Sequence, residues 1–409
     1  MKKQHKVVAV CAALALVVVS SALAASASTT KPSAKAAKGT RSAKTAPVTF
    51  AVFGDSPYGL TNNDVTQSDA TPRFIDAINK DTDVSAVMHI GDLHSGKQMC
   101  TRTYDEAIFQ MWKGFKKPLV YTPGDNEWAD CHKVAQSGGA WNATTGKIDF
   151  VVDAAGNPVD FGAGDPVANL LLVRSTFFRN PGWTLGKGAF QVTSQALAYD
   201  RKFPADSKFV ENVMWEQAGV LFVTVNIPGG SNNEQDVWYG APTMSSNQRQ
   251  EAVERTDADE RWLEAAFAKA KADKVAGVVI GSQADMWDPE KGVDHQTGYN
   301  PLVAAVAQGT KDFGKPVLMI NGDSHVFRSD NPLSPSATCV WENTTACVSD
   351  WYIHPAGGYN IPNFHRIVVH GSTSPMEYLK LAIDPAANAA NGDYKFGPFS
   401  WSRATQQLP

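Results

Sequence analysis

Four aspartates recur in one setting. Asp55, Asp92, Asp125 and Asp323 each follow a glycine, and each Gly-Asp pair closes a short apolar run, over residues 48–55, 86–92, 118–125 and 316–323. With 32 Gly and 29 Asp in 409 residues, about two Gly-Asp pairs are expected by chance; six occur. The other two, Gly164-Asp165 and Gly392-Asp393, follow no apolar run. Carboxylates are hard oxygen donors, and several brought to one point hold a divalent cation: Mg²⁺, Mn²⁺, Ca²⁺, Fe or Zn²⁺. His325, two residues after Asp323, adds an imidazole to the set.

Such convergence needs strands that end together. Short apolar runs bounded by polar residues read as buried strands. In open α/β sheets, ligands sit beyond the carboxyl ends of the strands. Between the first three runs, the sequence predicts helices over 72–80 (Thr71 as cap, Pro72 in the first turn) and 104–116. The order β-α-β-α-β with short connections predicts parallel strands. Residues 137–208 are rich in Gly, Asn and Asp and read as an insertion over the sheet ends, with one helix over 166–178. Next come a hairpin-like pair (209–215 and 219–227), a long helix over 247–271, and strands over 275–280, 317–321 and 367–369.

Composition bounds the setting. Residues 1–27 carry a basic start, an apolar stretch at 7–19 and Ala-x-Ala sites at 22–24 and 25–27, the pattern of a signal peptide. Residues 28–47 are a basic, low-complexity linker whose charge suits contact with an anionic cell surface, and 48–409 form the folded domain. Together these predict a secreted, periplasmic or extracellular protein. The formal net charge is −4, and the eight basic residues of positions 1–47 face no acid, which leaves −12 for the rest. That balance argues against a nucleic-acid partner. Beyond Cys11, the four cysteines Cys100, Cys131, Cys339 and Cys347 suit export and disulfides, with Cys100–Cys131 and Cys339–Cys347 as the local pairings.

In order and spacing, the motifs resemble those of the calcineurin-like metallophosphoesterase superfamily, which includes purple acid phosphatases. Gly54-Asp55, Gly91-Asp92, Gly124-Asp125-Asn126-Glu127, Gly281-Ser282-Gln283 and Gly322-Asp323-Ser324-His325 carry the resemblance, spread from residue 48 to 325. The resemblance implies a four-layer α/β/β/α sandwich of two mixed sheets and two divalent ions. Asp55, Asp92 and His325 would bind the first ion, Asp92 would bridge, and Asp125, Gln283 and Asp323 would complete the second. The departures concern imidazoles. Pro57 stands at the family's first His, with Tyr58 beside it as a possible substitute. Asn126 stands at the proton-donating His and cannot be an acid. Asp323 replaces the first His of the last motif. Asn126 at the proton donor's position, His94 beside Asp92, and His325 are the catalytic candidates. Arg174, Arg179, Asn226 and Tyr58 are candidates for binding a small phosphorylated substrate. The implied activity is hydrolysis of a phosphomonoester or phosphodiester. The alternative is a catalytically degenerate metal-binding surface or interaction module on the same fold.

Overall fold

The computed structural model describes residues 46–288, 291–334, 339–342, 358–387 and 391–405, the side chain of Val293 excepted. Side chains alternate in and out along the central strands, and both directions are buried. In β1 (Val48–Phe53), Phe50 and Val52 point to one core while Ala51 and Phe53 point to another. In β10 (Val317–Asn321), Leu318 and Ile320 face the core shared with Phe50, and Val317 and Met319 face a third. Strands buried on both sides read as unbroken apolar runs, which is why the Gly-Asp runs look alike.

Two sheets stack through the shared core. The first has the order β15-β16-β14-β1-β2-β3. Here β1, β2 (Val84–His89) and β3 (Leu119–Tyr121) are parallel. Beside them, β14 (Glu377–Ile383), β15 (Lys395–Phe396) and β16 (Phe399–Thr405) form an antiparallel edge. The second sheet has the order β12-β11-β13-β10-β9-β8-β7-β6. Its parallel centre is β8 (Val220–Thr224), β9 (Gly277–Gly281), β10 and β13 (Phe364–Val368). The antiparallel flanks are β6 (Thr193–Ser194) and β7 (Val213–Gln217) on one side, β11 (Arg328–Asp330) and β12 (Val340–Trp341) on the other. A separate hairpin pairs β4 (Gly139–Asn142) with β5 (Lys147–Phe150).

Helices cover both outer faces. Phe74, Ile75 and Ile78 of α1 (Thr66–Lys80), Ile108 and Trp112 of α2 (Arg102–Trp112), and Val173 and Phe177 of α3 (Pro166–Phe177) pack on the first sheet. Two short turns follow, α4 (Gln195–Ala198) and α5 (Gly229–Asn233). Trp262, Leu263 and Phe267 of α6 (Ser246–Ala272) and Leu302, Val303 and Val306 of α7 (Asn300–Phe313) cover the second sheet. Each such side chain contributes about 1.5–3 kcal/mol when fully buried. The result is the four-layer sandwich expected. No helix among the described residues is long and apolar enough to cross a membrane.

Three boundaries differ from the sequence reading. Helix α1 begins at Thr66, so Pro72 lies inside it. The extra turn is held by packing: Gln67 is buried, accepts from Tyr58 N at 2.7 Å and donates to Thr373 O at 3.1 Å. Helix α2 stops at Trp112. The segment 137–208 is not only a cover of loops. It supplies β6 to the second sheet, and Leu185 bridges to Leu119 of β3. The Cys100–Cys131 disulfide is present. Cys339 is disulfide-bonded too, while Cys347, its expected partner, lies outside the described residues.

Candidate metal centre

Because β1, β2 and β3 run parallel, as do β9 and β10, their carboxyl ends open on one side, where the four aspartates meet. The chain turns sharply there. Asp55, Asp92, Asp323 and His325 all adopt left-handed backbone, with φ of 49°, 59°, 74° and 62°. Such conformations cost roughly 1–3 kcal/mol each for residues other than glycine and cluster where function holds them.

The glycines of the Gly-Asp pairs have a steric role across the site. A Cβ on Gly124 would lie 1.9 Å from Oδ1 of Asp92, and one on Gly322 would lie 2.2 Å from Oδ2 of Asp55. The glycine of one pair thus makes room for the carboxylate of another. The other two glycines make room for different neighbours: a Cβ on Gly54 would lie 2.8 Å from Ile90 Cγ1, and one on Gly91 would lie 2.6 Å from Gln283 Cβ.

Two ligand sets are visible. In the first, ligand atoms of Asp55, Asp92 and His325 lie within 4.8 Å of one another. Asp55 Oδ2 is buried and has no hydrogen-bond partner among the described residues. Asp55 Oδ1 accepts from Asp323 N at 2.9 Å and lies 3.4 Å from His325 Nε2. In the second, Asp125 and Asp323 face each other across the bare Cα of Gly229. The point where its Cβ would stand is 2.2 Å from Asp125 Oδ2 and 3.2 Å from Asp323 Oδ1. An orphaned buried carboxylate oxygen, a cradle too tight for a methyl group and an oxygen-rich donor set with one imidazole all fit divalent cations.

The electrostatics point the same way. Burial, then the Asp125 charge, raises the Asp92 and Asp323 carboxyls well above their usual range. Burial and Asp130 push Asp125 up to about 8. Carboxylates this close cannot all ionise without a counter-cation. Burial opposes charging of His325, but its hydrogen bond to Asp55 and the Asp55 charge win, and its pKa is raised.

Asp92 is the most heavily bonded member. Tyr58 donates its hydroxyl to Asp92 Oδ2 at 2.6 Å. Asn126 donates from its backbone to Oδ1 at 3.2 Å and from Nδ2 to Oδ2 at 2.9 Å. His325 Nε2 lies 3.3 Å from the Tyr58 hydroxyl. Pro57 therefore ends the imidazole at that position, and the next residue fills the space. Tyr58 and Asn126 are both in the centre. Glu127 stands behind them, its Oε1 accepting from Tyr121 Oη and Gly124 N, both at 2.6 Å.

Five of the candidates are placed otherwise. Gln283 reaches Asp92 Oδ2 at 3.2 Å and Asp125 Oδ1 at 3.1 Å, but with its amide nitrogen. Its oxygen is taken by Gly229 N at 2.9 Å, so it clamps carboxylates where a metal ligand was expected. His94 is fully buried, bonded through Nδ1 to Ser95 O at 3.1 Å and packed edge-on against Tyr104. Burial lowers its pKa to about 4, so it is neutral near pH 7 and holds no acid proton to give. Arg174 is locked by Glu211, with Nε–Oε2 at 2.9 Å and a second contact at 2.5 Å, and lies over Phe209. Asn226 turns its Nδ2 to Glu211 Oε1 at 3.1 Å. Arg179 pairs with Glu106 at 2.6 Å. Both arginines are thus ion-paired, Arg174 with a buried partner and Arg179 at the surface.

The sequence reading passed over a pocket wall beside Asp125. Lys133 bonds Asp130 Oδ2 at 2.8 Å and Asp236 Oδ2 at 2.7 Å. The proximity of Asp130 and Lys133 to Cys131 was the available signal, since the expected disulfide ties that loop to the Asp92 side.

No protein-family model matches the sequence. No curated protein matches it either. Among solved structures the chain is similar to a dimetal phosphatase from Danio rerio, with 11% identity over 82% of this chain and 92% of that one and a TM-score of 0.40. It is also similar to a purple acid phosphatase from seeds of yellow lupin, Lupinus luteus, with 12% identity, 89% and 54% coverage and a TM-score of 0.36. A third is a protein assigned as a 5'-nucleotidase from Staphylococcus aureus in complex with alpha-ketoglutarate, with 10% identity, 88% and 54% coverage and a TM-score of 0.36. The chain spans about half the length of the last two. Two facing mixed sheets with outer helices, and carboxylates gathered at the strand ends, define the architecture of this chain.

Proposed function

We propose that this chain is an exported, metal-dependent phosphoesterase that hydrolyses a small phosphomonoester or phosphodiester. The observation that carries the reading is the convergence of Asp55, Asp92 and His325 within 4.8 Å around a buried, unpartnered Asp55 oxygen. Asp55, Asp92 and His325 would hold one divalent ion, and Asp125 and Asp323 a second, with Asp92 shared. Bound ions of this kind polarise a phosphoryl oxygen and make a water acidic enough to serve as hydroxide near neutral pH. Tyr58 and Asn126 fix the orientation of Asp92. Gln283 spaces Asp92 from Asp125. His325, with its side chain 39% exposed, is the ligand that faces outward, beside the Tyr58 hydroxyl. Export is supported by the composition of residues 1–27, and the Cys100–Cys131 disulfide suits an oxidising compartment.

The test is hydrolysis of an aryl phosphate with Mn²⁺, Mg²⁺, Ca²⁺, Fe²⁺ or Zn²⁺ supplied singly. Turnover that disappears in Asp92→Asn is expected; absence of turnover with every ion overturns the reading. One observation favours the second reading, a metal-stabilised interaction module. Asn126 and the Gln283 amide stand where the family has imidazoles, and neither supplies a proton. Metal would then raise the melting temperature with no hydrolysis.

A further inference from the structure

A cavity of about 210 Å³ opens directly off the carboxylate cluster, with Asp125 and Asp323 on its wall. Any group attached to a phosphate held at the cluster enters it. Its volume is below the roughly 300–1,000 Å³ usual for pockets that take drug-sized molecules. Its lining is polar: Asp130, Lys133, Asp236 and Gln296 surround the space, and among the described residues only His295 and Tyr299 of the lining carry rings. A nucleobase or aryl group would find little to stack on.

The donors and acceptors are interleaved. Lys133 sits between Asp130 and Asp236, at 2.8 and 2.7 Å, and uses two of its three donors on them. Each carboxylate bonds Lys133 through Oδ2. The triad is held rigidly. Asp130 N donates to Asp125 O at 2.9 Å, and Cys131 is tied by the disulfide to Cys100. His132 Nδ1 accepts from Tyr239 N at 2.9 Å, which anchors the chain on the Asp236 side. Neighbouring hydroxyl groups, each both donor and acceptor, match carboxylate oxygens flanking an ammonium. An apolar ring would offer the same groups no hydrogen-bond partner.

We propose that this cavity, resting on the phosphoesterase reading above, binds the polyhydroxylated part of the substrate. The substrate class is then a phosphate ester of a small polyol or monosaccharide, and Asp130, Lys133 and Asp236 determine specificity.

The experiment compares hexose 6-phosphate, glycerol 2-phosphate, an aryl phosphate, a nucleoside monophosphate and phosphocholine on the metal-loaded protein and on Asp236→Ala. A polyol phosphate should show at least a tenfold higher kcat/KM than the nucleotide or phosphocholine. Asp236→Ala should raise KM for the polyol phosphate at least tenfold and leave the aryl phosphate within twofold. Equal effects on both substrates, or a preference for the nucleotide or phosphocholine, overturn the inference. Calorimetric titration with glycerol 2-phosphate decides the case in which nothing is hydrolysed. That outcome sinks the catalytic reading, whereas binding that Asp236→Ala abolishes would still uphold the pocket, and no binding would sink it.

Discussion

The Tyr58 hydroxyl donates to Oδ2 of Asp92 at 2.6 Å, and Asn126 Nδ2 reaches both atoms at 2.9 Å. Asp92 is thereby oriented by two neutral donors in a site where the resemblance leads one to expect imidazoles. Burial and then the Asp92 charge raise the Tyr58 pKa well above 10. The phenol therefore keeps its proton and acts as a fixed donor.

Tyr58→Phe removes that donor and keeps the ring. Groups that orient a metal ligand are worth about 10–100-fold in metal affinity or activity, so a loss of that size is expected in a calorimetric metal titration. The lost hydrogen bond should also cost about 1–2 kcal/mol of stability. If metal affinity and turnover both stay at the wild-type level, Tyr58 only packs under its loop.

Gly124→Ala tests the cross-site packing. The new Cβ would stand 1.9 Å from Asp92 Oδ1, so the carboxylate must move. Metal affinity should fall by more than tenfold. Gly292→Ala, where no atom beyond the chain neighbours lies within 4 Å among the described residues, should leave affinity unchanged and so controls for the loss of a glycine. Equal affinities in the two variants would remove the steric account of the Gly-Asp pairs.

The four strand ends were legible because they depend on two local facts, an apolar run and a Gly-Asp stop. The run order implied parallel strands, and the resemblance implied the sandwich. Tyr58 was harder to place. Its ring could equally have packed beneath the loop, and only the turn at Asp55 brings its hydroxyl to Asp92. Arg174 misled because a helix-surface arginine over aromatics looks like a phosphate clamp, and nothing local to it announces Glu211, 37 residues away. Gln283 shows a finer limit. The sequence places an amide at the site, but which end faces the carboxylates depends on Gly229 N, 54 residues distant. The antiparallel β14–β16 edge and helix α7 were passed over because no motif marks them.

Asp323 depends on a buried ion network behind it. The backbone N–H of Asp285 donates to Asp323 Oδ2 at 3.1 Å. The Asp285 side chain is fully buried, accepts from Ser324 Oγ at 2.8 Å and is bonded by Arg366, which also grips Asp330 at 2.7 Å. Removing one partner of a buried pair typically costs about 3–5 kcal/mol, because the other charge is stranded. Arg366→Met should therefore lower the melting temperature clearly. At temperatures where the variant is still folded, it should weaken the ion held by Asp125 and Asp323 more than the one held by Asp55, Asp92 and His325. A uniform loss at both sites would show that the network supports the fold alone.

The clustered carboxyls fix how stability depends on pH when metal is removed. Asp125 titrates at about 8 in the folded chain, and Asp92 and Asp323 are raised too, chiefly by burial. Unfolded aspartates titrate near about 3.9. Raised folded values mean that the folded state holds the extra protons. Their contribution to stability is complete below about pH 4 and is lost as pH climbs through about 8. Chelator-treated protein should therefore melt at a lower temperature at pH 8.5 than at pH 5. A divalent ion competes with those protons, so its stabilising effect should be larger at pH 8.5. At 100 times Kd the gain is about 2.7 kcal/mol, roughly 3–4 °C in Tm for a protein of this size. Thermal scans at the two pH values, with and without Mn²⁺, check both signs. If the metal-free melting temperature rises with pH, or Mn²⁺ stabilises more at pH 5, these carboxylates do not form the ion site.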